Sequence, residues 1–241
     1  MPSRMEIEMK IHEKITDKLF RHHGYMGGQW LMSFAEKFAI SGILSHRRPV
    51  VSLEIGSLEG GSLSVASKYS ERVISIDPNP DVKARLADSF DNVEFITGYS
   101  QEELPGVIQG LNDRQEDLGY VLIDGDHTEE GVRKDIEEVL KFQPKSPLWI
   151  LMHDSFNPGC RKGIKSIDWA ANPHVHWVNY DFVPGFLNSV PGVVDEMWGG
   201  LALAYLEAIP REGKLMYGEL LGRQFDKLFP LSAHAETKAV S

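Results

Sequence analysis

The apolar run Val50-Val51-Ser52-Leu53 passes without a break into Glu54-Ile55-Gly56-Ser57-Leu58-Glu59-Gly60-Gly61-Ser62, and an amphipathic stretch with Leu63, Val65 and Ala66 follows. This order reads as a buried strand, a glycine-rich turn and the first turn of a helix, the opening unit of an α/β sheet. Gly56, Gly60 and Gly61 carry no Cβ, so the backbone can approach a ligand closely. The helix behind the turn offers unpaired N–H groups and the positive end of its dipole. A turn of this kind suits a nucleotide-like cofactor.

Strands and helices alternate beyond it, which predicts a doubly wound, mostly parallel sheet with helices on both faces. Strands are expected at 50–55, 72–77, 93–96, 120–124 and 148–152, with two late strands near 174–182 and 201–206. Asn79-Pro80 supplies a cap and first position for a helix through Phe90, Ser100 with Glu103 forms a capping box, and Thr128 caps a helix burying Val132, Ile136, Val139 and Leu140. A further helix is expected over 161–171. Ahead of the sheet, Ile11, Ile15 and Leu19 fall at helical spacing within 10–23, and Trp30, Phe34 and Phe38 within 29–44. This order divides the chain into an N-terminal helical extension or lid at 1–45, an α/β domain at 46–230 and a flexible tail at 231–241. Helices covering one edge hint at a homo-oligomer.

Charge narrows the partners. With 25 basic against 35 acidic residues and a net charge of −10, the chain lacks the clustered Lys and Arg on which nucleic-acid binding rests. One cysteine, Cys160, excludes an internal disulfide and a multi-cysteine zinc site and suits a reducing compartment. The first residues lack the apolar run of a signal peptide, and no stretch has transmembrane length. A cytoplasmic protein without a membrane partner is expected.

In open α/β sheets, ligands lie beyond the carboxyl ends of the strands where strand order reverses. Gly56–Gly61, Asp77 at the end of the second strand and Tyr99-Ser100 after the third all fall there. Asp77 stands 21 residues after Gly56 (77 − 56), where a carboxylate can accept both ribose hydroxyls; its bland reading is a turn residue before Pro78. Ser100 reads as a helix cap that can also touch an adenine. The spacing departs from the Gly-x-Gly-x-x-Gly of dinucleotide oxidoreductases and lacks the lysine of a phosphate-binding P-loop.

On these residues the chain resembles the class I S-adenosylmethionine (SAM)-dependent methyltransferases, with Leu53-Glu54-Ile55-Gly56 and Gly60-Gly61-Ser62 as motif I. Ile123-Asp124-Gly125-Asp126-His127-Thr128 through Val132, and Met152-His153-Asp154, make it similar to the macrocin and mycinamicin type of sugar O-methyltransferases and their rhamnosyl and cephalosporin-biosynthesis relatives. The match is good over 48–155 and loose outside it. The resemblance implies a Rossmann-like seven-stranded sheet ending in an antiparallel hairpin, and SAM held by Glu54, Gly56, Ser57, Gly60, Gly61, Ser62, Asp77, Ser100 and Asp124.

A hydroxyl is a poor nucleophile until it loses its proton, so methyl transfer to one needs a base, a polarising metal or both. Asp124 and Asp154 end neighbouring strands and can converge on one hard cation. In the resembling enzymes the first Asp of this motif and an acidic pair after strand 5 hold Mg²⁺, and a His three residues after that Asp is the general base. Asp124 and His127 match (127 − 124 = 3), and so does Asp154; His153 stands where an acid is expected. The expected metal group is therefore Asp124, His153 and Asp154, holding Mg²⁺ weakly, Mn²⁺ more readily, or no metal. Asp126 reads as a turn or cap residue. Tyr25, Met26, Trp30, Phe182, Phe186, Met197 and Trp198 are candidates to line the acceptor pocket. A sugar hydroxyl of a natural product or glycolipid is the expected acceptor, ahead of a catechol-like phenol. An NAD(P)-dependent oxidoreductase and a non-catalytic SAM-binding protein are the competing classes.

Overall fold

The computed structural model describes residues 4–27, 29–190, 192–218 and 224–236. The chain opens with α1 (Arg4–Phe20) and α2 (Phe34–Arg47), then alternates through β1 (Val51–Ile55), α3 (Gly61–Tyr69), β2 (Arg72–Asp77), α4 (Pro80–Leu86), β3 (Val93–Thr97), α5 (Ser100–Asp113), β4 (Leu118–Ile123), α6 (Glu129–Val139), β5 (Leu148–His153) and α7 (Pro158–Ser166). It continues with β6 (Val175–Val183), β7 (Phe186–Leu187), β8 (Met197–Trp198), β9 (Leu201–Leu206), β10 (Met216–Tyr217), α8 (Gln224–Leu228) and α9 (Ala233–Glu236).

The main sheet runs β10-β6-β9-β5-β4-β1-β2-β3. β1 to β5 pair in parallel, whereas β9 is antiparallel to both β5 and β6. β1 and β4 are buried along their whole length, as befits strands with helices on both faces. One face is packed by Leu104, Ile108, Val132, Ile136, Ile164 and Trp169, from α5 to α7 and just beyond. The other carries Phe20, Trp30, Ile40 and Leu44 with Leu63 and Val65 of α3, so the N-terminal segment seals this face of the sheet. Strand order reverses between β1 and β4, and the crevice above their carboxyl ends is where a ligand belongs.

The mostly parallel α/β sheet with antiparallel late strands is the expected fold, with three differences of detail. The sheet has eight strands rather than seven, because β10 adds along the β6 edge. The β6–β9 connection is not a tight hairpin; it carries β7 and β8, which form a two-stranded antiparallel sheet of their own. The region expected as a tail from 231 begins with a buried Ser232 and α9, and 237–241 lie outside the described residues.

Several boundaries moved for local reasons. α2 starts at Phe34 because Ser33 and Glu36 form a reciprocal capping box, leaving Trp30 in the preceding loop but buried. α5 is capped by Tyr99 without a side-chain bond, so Ser100 is already helical and does not cap. α7 starts at Pro158 because the Asn157 side chain accepts from Gly159 and Cys160 N–H. On α1, Thr16 and Phe20 face the core, whereas Ile11, Ile15 and Leu19 are exposed.

Candidate active site

The glycine turn passes directly against the end of β4. Gly56 has φ +82°, and a Cβ there would lie 2.2 Å from the Asp124 carbonyl oxygen, so neither the conformation nor the space admits a side chain. Gly60, φ +77°, is the N-cap of α3. Asp77 holds the turn from the neighbouring strand: its Oδ2 accepts from the N–H groups of Ser57 (2.9 Å) and Leu58 (3.2 Å), and its Oδ1 accepts from Asn79 N–H (2.9 Å). Above the turn lies a cavity of about 790 Å³, within the roughly 300–1,000 Å³ usual for small-molecule sites. Of the residues expected around a cofactor, Gly56, Ser57, Gly61, Ser62, Asp77, Ser100 and Asp124 border it. Glu54 and Gly60 do not. Glu54 is buried behind the wall, accepting from Ser62 Oγ (3.0 Å), and burial pushes its carboxyl up to about 8.

The same cavity is bordered by Asp124, His127, His153, Asp154 and Glu36. Asp154 is left-handed, with φ +52°, a conformation uncommon for non-glycine residues but one that Asp adopts more readily than most. Its Oδ1 accepts from Gly199 N–H (2.6 Å), and its Oδ2 faces His127 Nε2 (3.2 Å) and His153 Nδ1 (3.3 Å). Asp124 Oδ1 lies 2.8 Å from His153 Nδ1 and 3.5 Å from His127 Nε2. Glu36, fully buried, comes from α2: its Oε1 meets His153 Nε2 (3.1 Å) and Gly200 N–H (2.6 Å). Each nitrogen of His153 thus points at a carboxylate.

The charges follow this geometry. Burial alone would lower the His153 pKa, but the charges of Asp124 and Asp154 and their hydrogen bonds outweigh it and hold the imidazole well above its ordinary range. Burial opposes ionisation of Asp124, yet the adjacent His153 and His127 keep its carboxyl below the ordinary value. The hydrogen bond to Asp124 raises His127, against burial and with help from the Asp154 charge. Ligand atoms of Asp124, His127 and Asp154 lie within 4.8 Å of one another. His127 therefore joins the two carboxylates in the place the sequence reading gave to His153, whose nitrogens are both engaged.

Facing these groups, Trp30, Leu31 and Met32 from the N-terminal loop and Phe186 and Trp198 from β7 and β8 form an apolar wall. Trp198 meets His127 edge-on, ring centroids 5.8 Å apart. Tyr25 and Met197 are core residues, and Phe182 packs against the core. Asp126 accepts from Thr128 N–H (2.8 Å), the turn role read from sequence. Glu36 was missed as a site residue. Ser33-x-x-Glu36 signals a capping box, but nothing local shows that the other carboxylate oxygen crosses to β5.

Residues 53–155 match a family model described as a methyltransferase domain. No curated protein matches the chain in sequence. Among solved structures, the O-methyltransferase from Bacillus cereus in complex with SAH is 16% identical, covers 86% of this chain and 93% of its own, and superposes with a TM-score of 0.56. The O-methyltransferase TomG from Streptomyces achromogenes, involved in tomaymycin synthesis and solved with SAM, is 14% identical over 81% of this chain and 89% of its own, with a TM-score of 0.55. At such identities the likeness is one of fold. Family model and fold agree with the class I methyltransferase resemblance; the macrocin and mycinamicin type is narrower than either.

Proposed function

With a methyltransferase domain at residues 53–155 as premise, we propose that the chain is a SAM-dependent O-methyltransferase that modifies a hydroxyl of a small molecule. The observation that carries this reading is one cavity bordered both by the Gly56–Ser62 turn and by His127 between two carboxylates. Gly56 and Gly61 border the cavity with backbone alone, packed against the Asp124 carbonyl and Trp30 respectively. SAM, when bound, supplies a methyl group on a sulfonium open to in-line attack. In this reading Asp77, with three of roughly four acceptor positions taken by backbone N–H groups, keeps one on Oδ1 for a ribose hydroxyl. Ser100, which borders the same cavity, would contact the adenine. The N-terminal 45 residues act as extension and lid to the domain at 46–230, supported by Trp30, Leu31, Met32 and Glu36 on the cavity wall.

His127 is the base. Its Nε2 faces Asp154 and Asp124, which fixes the proton there and leaves Nδ1 to accept one from the acceptor hydroxyl. Mg²⁺ as the resembling enzymes hold it does not fit this donor set. That ion favours oxygen donors; one expected acid is His153, and its Nδ1 already occupies the Asp124 and Asp154 oxygens that would face a metal. Without a Lewis acid, a sugar hydroxyl of a natural product is the harder acceptor. The aromatic wall of Trp30, Phe186 and Trp198 favours the second reading, a catechol-like phenol, whose pKa near that of tyrosine, about 10, is within easier reach of an imidazole.

Calorimetric titration with SAM, with NADH as the rival ligand, tests the reading: SAM should bind and NADH should not. Asp77→Ala should weaken SAM about tenfold or more, the loss expected for a hydrogen bond to a charged group. Unchanged affinity would remove the ribose assignment, and binding of NADH in place of SAM would remove the methyltransferase.

A further inference from the structure

His153 is the residue the proposed mechanism leaves unused. It ends β5 beside Asp154, is buried, and reaches three carboxylates: Asp124 Oδ1 at 2.8 Å and Asp154 Oδ2 at 3.3 Å from Nδ1, and Glu36 Oε1 at 3.1 Å from Nε2. A carboxylate accepts and cannot donate, so both ring nitrogens must carry hydrogen and the ring is a cation. Three buried or half-buried carboxylates this close are stable only with compensating charge. The structure meets that need with a side chain.

We propose that His153 is the resident cation of this site, standing where a divalent ion would otherwise bridge Asp124 and Asp154, and that the site holds no metal. Glu36 adds a third carboxylate from outside the sheet. Anchored by accepting from Ser33 N–H through Oε2 (2.5 Å) and from Gly200 N–H through Oε1 (2.6 Å), it fixes the ring from the side opposite the two aspartates. An N-terminal helix thereby supplies the acceptor for the second nitrogen of His153 in a site on the carboxyl ends of β4 and β5. The inference rests on the methyltransferase reading only for what the site does; its charge balance can be tested without SAM or an acceptor.

Mn²⁺ and Mg²⁺ titrations of the full chain, followed by calorimetry and by the Mn²⁺ spin-resonance signal, decide it. The wild-type protein should bind neither ion stoichiometrically. His153→Asp restores the missing acid and removes the cation, and should raise Mn²⁺ affinity at least about tenfold, the scale on which the groups around a metal alter its binding. Should that variant fold only with metal added, the need for a cation is shown directly. Should it not fold at all, His153→Gln replaces it: neutral and similar in size, it should also gain Mn²⁺ affinity. One Mn²⁺ bound per wild-type chain and lost in Asp154→Ala would overturn the proposal, as would folded His153 variants with no gain in metal affinity. SAM titration of the same proteins reports separately on the methyltransferase reading.

Discussion

His127 differs from an ordinary exposed loop histidine in its environment. Two carboxylates lie 3.2 and 3.5 Å from its Nε2, and the hydrogen bond to Asp124, with the Asp154 charge, raises its pKa above 6.5. A base must be neutral to accept a proton, so raising this pKa moves the onset of activity to higher pH. Replacing Asp154 by Asn removes one source of the shift. Histidine-resolved NMR titration should therefore find His127 above 6.5 in the wild-type protein and lower in Asp154→Asn; an unmoved titration would detach Asp154 from the base. His127→Ala should leave SAM affinity intact and cut turnover by about 10²- to 10⁴-fold, the usual contribution of a positioned base.

At the level of elements, the sequence exposed what is periodic and concealed what is tertiary. β1, β4 and β5 were legible because β-branched and aliphatic runs of strand length ended in turn residues, and Asp124 and His127 because motif spacing survives without knowledge of packing. The stripe of Ile11, Ile15 and Leu19 gave a helix correctly but not its buried side, since periodicity identifies a face without naming what covers it. The Glu36–His153 contact spans 117 positions, beyond any local signal. It depends on the start of α2, where Ser33 Oγ accepts from Glu36 N–H (3.3 Å) and Ser33 N–H donates to Glu36 Oε2. Ser33→Ala should cost about 1 kcal/mol, the usual worth of such a cap. Thermal melts should show the loss, and Ser33→Asp, another good cap, should largely restore stability. A variant melting like the wild type would mean that packing of α2 alone fixes Glu36.

Across the whole molecule, the ionised groups of the site and the buried acid behind it impose opposite demands on stability. Asp124, held below its ordinary value of 3.8, stabilises the fold above that value, and this contribution fades as pH falls through its folded pKa. His153, held above 6.5, stabilises below that value and ceases to do so once pH climbs past its folded pKa. Glu54 acts on the alkaline side as well, and its burial on the central strand makes it the clearest case. Its ordinary value is 4.5 and its folded value about 8, so the folded chain keeps a proton that the unfolded chain releases. Its contribution is complete below 4.5 and is lost as pH rises to about 8. Glu54→Gln cannot titrate and still offers Ser62 Oγ an acceptor. Melting curves across this range should diverge, the wild type losing ground to the variant as pH rises, until the gap exceeds about 1.4 kcal/mol, the equivalent of one pKa unit. Parallel curves would show that the folded chain holds no extra proton on Glu54, and that burial on β1 does not keep it neutral.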